Sequence, residues 1–194
     1  MRALVSFGTG PMAAFAGLTR PDMMAFAKRH GYQAVLDQVP TLDPPSWGKV
    51  PLLQALLESF DAVLWLDADC LIVDGTEDIA AGVPDDIAQA MVAHVTGEGW
   101  IPNCGVWYLT RHAPPMLHEV MELYQKHRDH CWWEQAAVIE RLNDGWHEKT
   151  HWLDPGWNRH PHDLQPTRHV RIEHYTALPD RLGALKARLA SDAG

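Results

Sequence analysis

Ala62-Val63-Leu64-Trp65-Leu66-Asp67-Ala68-Asp69-Cys70-Leu71-Ile72-Val73-Asp74 is a run of apolar, β-prone residues interrupted by two acids. Residues 62–66 predict a strand buried on both faces, at the centre of a largely parallel sheet. Asp67 and Asp69 stand two residues apart, and on a strand that spacing puts both carboxylates on one face. Unpaired carboxylates in apolar surroundings are costly, and their mutual repulsion raises one of the two pKa values. A divalent cation removes both problems, and oxygen ligands at a strand end suit Mg²⁺ or Mn²⁺. The simpler alternative is a solvated turn, with one acid capping a short helix.

On the N-terminal side, Ser46 caps a helix running to Phe60, with Val50, Leu53, Ala55, Leu56, Leu57 and Phe60 on a broad apolar face and Pro51 in the first turn. Lys49 sits at the end of that helix where the dipole disfavours a cation. Meeting phosphate is one role for it; an exposed lysine with no role is the plainer one. Residues 2–7 (RALVSF) and 32–36 read as strands, and 39–45 as a proline-rich connection. Gly8-Thr9-Gly10-Pro11-Met12-Ala13, with Asp37 after the second strand, matches the dinucleotide fingerprint in outline. That fingerprint needs a helix to open at the glycines. Thr19 as N-cap, Pro21 and Asp22 mark a later start, with the helix continuing over 23–30 and Gly31 ending it. NAD binding is therefore disfavoured.

On the C-terminal side, residues 75–86 are irregular with a helical turn at 76–81. Residues 87–94 predict a strand and 95–102 a loop containing Gly97, Gly99 and Trp100. Residues 103–110 predict a strand opened by Asn103 and Gly105. Residues 114–128 form one amphipathic helix, and 134–142 another, entered through Trp132-Trp133 and ended by Asn143-Asp144-Gly145. Residues 151–158 mix a short strand with a turn, 160–169 are a polar loop, 170–174 a last strand, and 178–190 a helix started by Pro179-Asp180. Alternating strands and helices predict an α/β sheet protein with its ligand at the carboxyl ends of the strands. Asp67, Asp69 and residues 8–10 all fall at that edge.

The chain has 194 residues, 46% hydrophobic and 21% charged, which suits a single soluble domain with a sizeable core. A net charge of −9 argues against a general nucleic-acid or anionic-membrane binder, although Arg159, His160, His162, Arg168, His169 and Arg171 form a locally basic cluster. Three distant cysteines, with no C-x-x-C, indicate neither a zinc ribbon nor a disulfide scaffold. A cytoplasmic location is expected. Residues 1–7 lead directly into a strand, so no signal peptide and no membrane span are expected. His127, His130 and Cys131, like His160 and His162, read more simply as surface groups than as zinc ligands. Of the tryptophans, Trp65 and Trp107 read as core; Trp100, Trp132, Trp133 and Trp157 are candidates to stack on a sugar or base.

Four segments together resemble a nucleotide-sugar glycosyltransferase of the GT-A type, in particular the retaining α-galactosyl/α-xylosyltransferase family of fungi and plants, with the glycogenin-like group behind it. Trp47-Gly48-Lys49-Val50-Pro51-Leu52 followed by Leu64-Trp65-Leu66-Asp67-Ala68-Asp69 resembles that family's W-x-K helix and D-x-D strand. Asn103-Cys104-Gly105 resembles its N-x-G segment. Trp133-Glu134-Gln135-Ala136-Ala137-Val138 resembles its D-Q helix start, with Glu for Asp. Ile172-Glu173-His174-Tyr175-Thr176 resembles its metal-ligand histidine segment, although Ala177 stands where H-x-x-G has glycine.

The resemblance implies a Rossmann-like, mostly parallel sheet flanked by helices in one domain, residues 1–94 binding the nucleotide-sugar and 95–194 holding the acceptor and the last metal ligand. It implies transfer of a sugar from a nucleoside-diphosphate sugar, UDP-sugar favoured, to a hydroxyl on a glycan, a small molecule, a protein side chain or a modified DNA base, with retention. Asp69 and His174 would hold the metal, and Asp67 would share it or hold donor hydroxyls. An imidazole ligand favours Mn²⁺, with Mg²⁺ as the alternative. Phe7, Gly8 and Thr9 would line the base and ribose, Lys49 the diphosphate, and Ala68, Asn103 and Gly105 the donor sugar. Glu134 and Gln135 would face the sugar ring. An inverting reaction would instead need a general base, for which Glu134 and Asp154 are candidates. The competing readings are a nucleotidyltransferase on a similar sheet, without a P-loop, and a non-catalytic carbohydrate-binding relative.

Overall fold

The computed structural model describes residues 1–38, 42–97 and 99–192. Its strands are β1 (Arg2–Val5), β2 (Tyr32–Val35), β3 (Ala62–Leu66), β4 (Cys70–Ile72), β5 (Gln89–Thr96), β6 (Gly99–Thr110), β7 (Thr150–Trp152) and β8 (Ile172–His174). Its helices are α1 (Ala13–His30), α2 (Lys49–Leu57), α3 (Pro114–Glu122), α4 (Tyr124–His127), α5 (Trp133–Asn143) and α6 (Arg181–Asp192). Six strands form one sheet in the order β2-β1-β3-β6-β5-β7, while β4 and β8 pair separately. β1 is parallel to β2 and β3, β5 is parallel to β7, and β6 runs antiparallel to both its neighbours. The sheet is thus mixed and mostly parallel, as expected for an α/β protein.

The apolar run 62–66 is the centre of this sheet because both of its faces are covered. Val63 and Trp65 join Ala3, Val5, Trp107 and Leu109 against α2, α3 and α5. Ala62, Leu64 and Leu66 join Leu4 and Tyr108 on the other face, against Met23, Phe26 and Ala27 of α1. A third cluster, Phe15, Ala68, Leu71, Tyr175 and Leu185, fastens α6 to the start of α1.

Several elements differ from their sequence expectation. α1 begins at Ala13, directly after a 3₁₀ turn at Gly10–Met12, and Pro21 lies inside it. Thr19 is not an N-cap. Its buried hydroxyl donates back to the Phe15 carbonyl and across to the Ala68 carbonyl, at 3.2 and 2.9 Å; this tertiary bond outweighs the local preference of Thr for a cap. The helix expected from Ser46 opens with a 3₁₀ turn at Pro45–Gly48 and ends at Leu57. The loop expected over 95–102 is, at its described residues, the tip of the β5–β6 hairpin. The helix expected over 114–128 breaks at Leu123, whose backbone leaves helical geometry, giving α3 and α4. Of the expected connection 39–45, residues 39–41 lie outside the described residues. No helix among the described residues is long and apolar enough to cross a membrane.

Candidate functional site

Asp67 and Asp69 occupy the turn between β3 and β4 rather than one face of a strand. The backbone of this turn is tied on several sides. Asp67 N–H donates to Gly105 O (2.7 Å), Cys70 N–H to Asp67 O (3.0 Å), and Tyr175 N–H to Asp69 O (3.0 Å), while Ala68 O accepts from Thr19. β6 supplies its part through a bulge. Met91 pairs with Trp107 and Val92 with Asn103, so residues 104–106 swing out of register with β5, and such bulges re-aim groups beside sites. β8 supplies the rest, placing His174 opposite Cys70.

The turn brings both acids to one imidazole. His174 Nε2 lies 3.5 Å from Asp69 Oδ1 and 3.8 Å from Asp67 Oδ2, and ligand atoms of the three residues lie within 4.8 Å of one another. Asn158, fully buried, sets the ring. Its Oδ1 takes the His174 Nδ1–H at 3.0 Å and its Nδ2 donates to Asn103 Oδ1 at 2.9 Å. Gly105 is needed here, because a Cβ on it would lie 2.2 Å from His174 Cε1. With Nδ1 donating to Asn158, a neutral ring points its Nε2 lone pair at two carboxylates. That is favourable only with a proton or a cation between them. Without a cation the proton is held: burial works to lower the His174 pKa, but Asp69 and then Asp67 outweigh it and raise it. Asp69 is pulled down by His174 and Arg181 against a burial effect of opposite sign. The donor set, two carboxylates and an imidazole, fits a divalent cation such as Mn²⁺.

Two cations flank the triad. Lys49 is not exposed, as its position alone suggested, but buried. Its ammonium lies 2.7 Å from Glu134 Oε1 and 3.2 Å from Asp67 Oδ1. Burial works to lower its pKa, and Asp67 and Glu134 outweigh this and hold it well above the ordinary range. Burial raises the Glu134 carboxyl against the pull of Lys49. Trp65 Nε1 also donates to Asp67 Oδ1, at 2.6 Å, which leaves Oδ2 to face His174. Arg181, at the start of α6, reaches Asp69 Oδ2 through Nη2 and anchors its Nε on Tyr175 O at 2.7 Å.

These groups line a cleft of about 1070 Å³ that takes in Phe7, Thr9, Lys49, Asp67, Ala68, Asp69, Asn103, Gly105, Glu134, Gln135 and His174. Gly8 lies apart, in an adjoining cavity of about 320 Å³ that also takes in Phe7, Thr9, Arg20 and Asp37. A Cβ on Gly8 would meet Met12 O at 2.4 Å, so glycine lets β1 run closely under α1. Asp37, the acid of the apparent dinucleotide fingerprint, pairs with Arg20. Gln135 Oε1 accepts from Cys104 N–H at 3.3 Å, and Glu134 Oε2 is buried with no hydrogen-bond partner among the described residues.

Other candidates resolve differently. Asp154 caps the turn Pro155–Trp157 and pairs with Arg171, outside the cleft. Trp157 is buried beneath Arg171, and Trp100 packs edge-on against Trp152; among the described residues Trp132 and Trp133 are the exposed tryptophans on the cleft. Trp133 opens α5 with φ 44°, a left-handed backbone rare for a bulky residue. His160 and His162 both border the cleft, His160 half-buried and His162 exposed. Three members of the basic cluster are engaged within the chain: Arg159 donates to Gln165 O, His169 bonds Asp74, and Arg171 pairs with Glu77 and Asp154. Asn158, Arg181 and His94 carry no local sequence mark, and the side chains they bond are 16 or more positions away.

No known sequence family matches the chain, and no curated protein sequence is similar to it. Solved structures are. A glycosyltransferase involved in glycosylation of the major capsid of PBCV-1 superposes with a TM-score of 0.77 at 16% identity, over 96% of this chain and 98% of that one. The galactosyltransferase LgtC, in complex with donor and acceptor sugar analogues, gives 0.63 at 12%, over 98% and 96%. Mouse xyloside xylosyltransferase 1 gives 0.58 at 13%, over 91% and 98%. At these identities the likeness is one of fold: the chain has the GT-A glycosyltransferase fold.

Proposed function

We propose that this protein is a metal-dependent glycosyltransferase that moves a sugar from a nucleoside-diphosphate sugar, UDP-sugar favoured, to a hydroxyl acceptor on a glycan, with retention. The observation that carries the reading is the Asp67–Asp69–His174 triad in a large cleft, with Asn158 turning the imidazole lone pair onto the two carboxylates. In this reaction the bond from the anomeric carbon to the diphosphate oxygen breaks, its electron pair leaving with the diphosphate, and an acceptor oxygen bonds to the carbon. A divalent cation held by Asp67, Asp69 and His174, Mn²⁺ in preference to Mg²⁺, would supply Lewis-acid charge opposite the diphosphate.

The chain's own residues divide the remaining work. Phe7, Gly8 and Thr9, shared between or beside the two cavities, receive the base and ribose. Arg181, paired with Asp69 beside the triad, would offer a second positive charge to the diphosphate. Lys49 acts through its partners, its ammonium holding the Asp67 and Glu134 carboxyl groups in place. Ala68, Asn103 and Gly105 form the wall beneath the donor sugar. Glu134 offers negative charge as positive charge builds on the anomeric carbon, and Gln135, its oxygen spent on Cys104, offers its amide protons to a sugar hydroxyl. Residues 1–94 serve chiefly the donor and 95–194 the acceptor and the last metal ligand.

The test is release of nucleoside diphosphate from a panel of UDP- and GDP-sugars with and without Mn²⁺, beside Asp69→Ala. We expect Mn²⁺-dependent release from one donor, lost in the variant, and a product of unchanged anomeric configuration. Binding without release would favour a non-catalytic carbohydrate-binding protein. No binding of any donor with Mn²⁺ would sink the metal assignment.

A further inference from the structure

His94 and Asp163 form a buried pair on the cleft that the donor and metal assignments leave unused. His94, on β5, is 3% exposed, and its Nδ1 lies 2.9 Å from Asp163 Oδ2. Asp163 is itself buried. Its other oxygen accepts from Val95 N–H at 3.2 Å and Gln165 N–H at 3.0 Å, so its orientation is fixed. His94 Nε2, by contrast, is buried and without a hydrogen-bond partner among the described residues, and His94 lines the cleft. A buried polar atom left unmatched costs about 1–3 kcal/mol, which makes it a site prepared for a partner from outside the chain.

The chemistry of that partner follows from the pair. Asp163 is held in its charged form by its hydrogen bonds, against the effect of its partial burial. A charged carboxylate only accepts, so the proton between the two sits on Nδ1. Burial lowers the His94 pKa against the pull of Asp163, leaving the ring neutral and Nε2 a lone pair. The position relates to the metal triad through His160, whose ring centroid is 4.9 Å from that of His94 and 6.3 Å from that of His174. The unpaired lone pair therefore stands one ring beyond the metal ligands in the same cleft.

We infer that His94 Nε2 accepts the hydrogen bond of the attacking oxygen, the acceptor hydroxyl or water in its place, with Asp163 positioning the ring. This rests on the glycosyl-transfer reading and names its acceptor class: a neutral alcohol group that donates a hydrogen bond. A carboxylate or phosphate acceptor would meet a lone pair backed by Asp163 and be repelled.

The experiment compares wild type, His94→Leu, His94→Gln and Asp163→Asn in two readouts that use the same donor. Affinity for UDP with Mn²⁺ is measured by calorimetry, and donor turnover by nucleoside diphosphate release in water and with a panel of methyl glycosides. His94→Leu should lose tenfold or more in turnover with UDP affinity within twofold. His94→Gln, which keeps an accepting oxygen, should lie between. Asp163→Asn, nearly identical in shape, should turn the ring's proton onto Nε2 and lose turnover likewise. Nitrogen NMR of histidine-labelled protein checks this without activity: Nε2 of His94 unprotonated in wild type, protonated in Asp163→Asn. A protonated Nε2 in wild type, unchanged turnover in His94→Leu, or turnover and UDP affinity falling together would overturn the inference. So would a wild type that binds UDP with Mn²⁺ yet turns over no donor, the donor reading surviving. Failure to bind UDP with Mn²⁺ at all would instead remove the transferase reading and this inference with it.

Discussion

Ala177 carries a backbone angle suited to glycine, φ 56°, at the position where the H-x-x-G segment of the resembling family has one. Left-handed backbone costs an L-residue about 1–2 kcal/mol, and glycine's extra freedom in the unfolded chain returns about 0.5–1 kcal/mol of that. Ala177→Gly should therefore stabilise the protein by up to about 1 kcal/mol, raising Tm by about 2–4 °C; a fall in Tm on thermal unfolding would refute the strain. Residues were legible where the sequence marks them locally. Asp69 and His174 stood in motifs, and they meet. Lys49 was placed at the site by its motif, but its burial between Asp67 and Glu134 depends on a helix entered 85 positions later. Asn158 and Arg181 orient the triad from loops and termini, and no neighbouring residue signals such a task.

At the scale of elements, α6 docks through Leu185, which is fully buried against Phe15, Leu71 and Tyr175. Leu185→Ala should cost about 2–4 kcal/mol of local docking. Hydrogen exchange in residues 181–192 should rise well before that of β3, and donor affinity should weaken as Arg181 loses its mount. Equal protection in both proteins would show that α6 docks by other means. The strands over 2–7, 62–66 and 103–110 were readable because apolar burial on two faces leaves an unbroken run. The start of α1 was not. Thr19 and Pro21 are start signals in isolation, yet Thr19 spends its hydroxyl on Ala68, 49 positions away. The hairpin tip was hidden for a related reason: Gly97, Gly99 and Pro102 read as loop, while pairing with β5 holds Gly99 and Pro102 in a strand.

For the whole molecule, the buried charges predict a pH-dependent response to metal. The folded Asp69 pKa is lowered, so its stabilising effect is present above its unfolded value near 4 and is lost as pH falls through the folded value. The folded His174 pKa is raised, so its effect is complete below about 6.5 and is lost as pH rises through the folded value. Metal-free protein should gain most from this pair between about pH 4 and 6.5. A cation must displace the imidazole proton, so it binds more tightly as pH rises. The Tm increase produced by Mn²⁺ should be larger at pH 8 than at pH 6; an increase independent of pH would show that His174 is not a ligand. The alternation of strands and helices was enough to foresee the α/β layering, and the order of the motifs to foresee the GT-A fold. The reversed strand β6 of the six-stranded sheet was not foreseeable, since direction within a sheet leaves no mark on apolar pattern.

The turn bearing Asp67 and Asp69 is tied to Thr19, Gly105 and Tyr175, and the imidazole that faces both acids is residue 174. On the ribosome, the chain must therefore have been made past residue 174 before these three groups can meet around a cation. A nascent chain that ends before residue 174 carries the acidic turn without the imidazole that completes the trio, so the proposed trap for metal and the folded shape arise together.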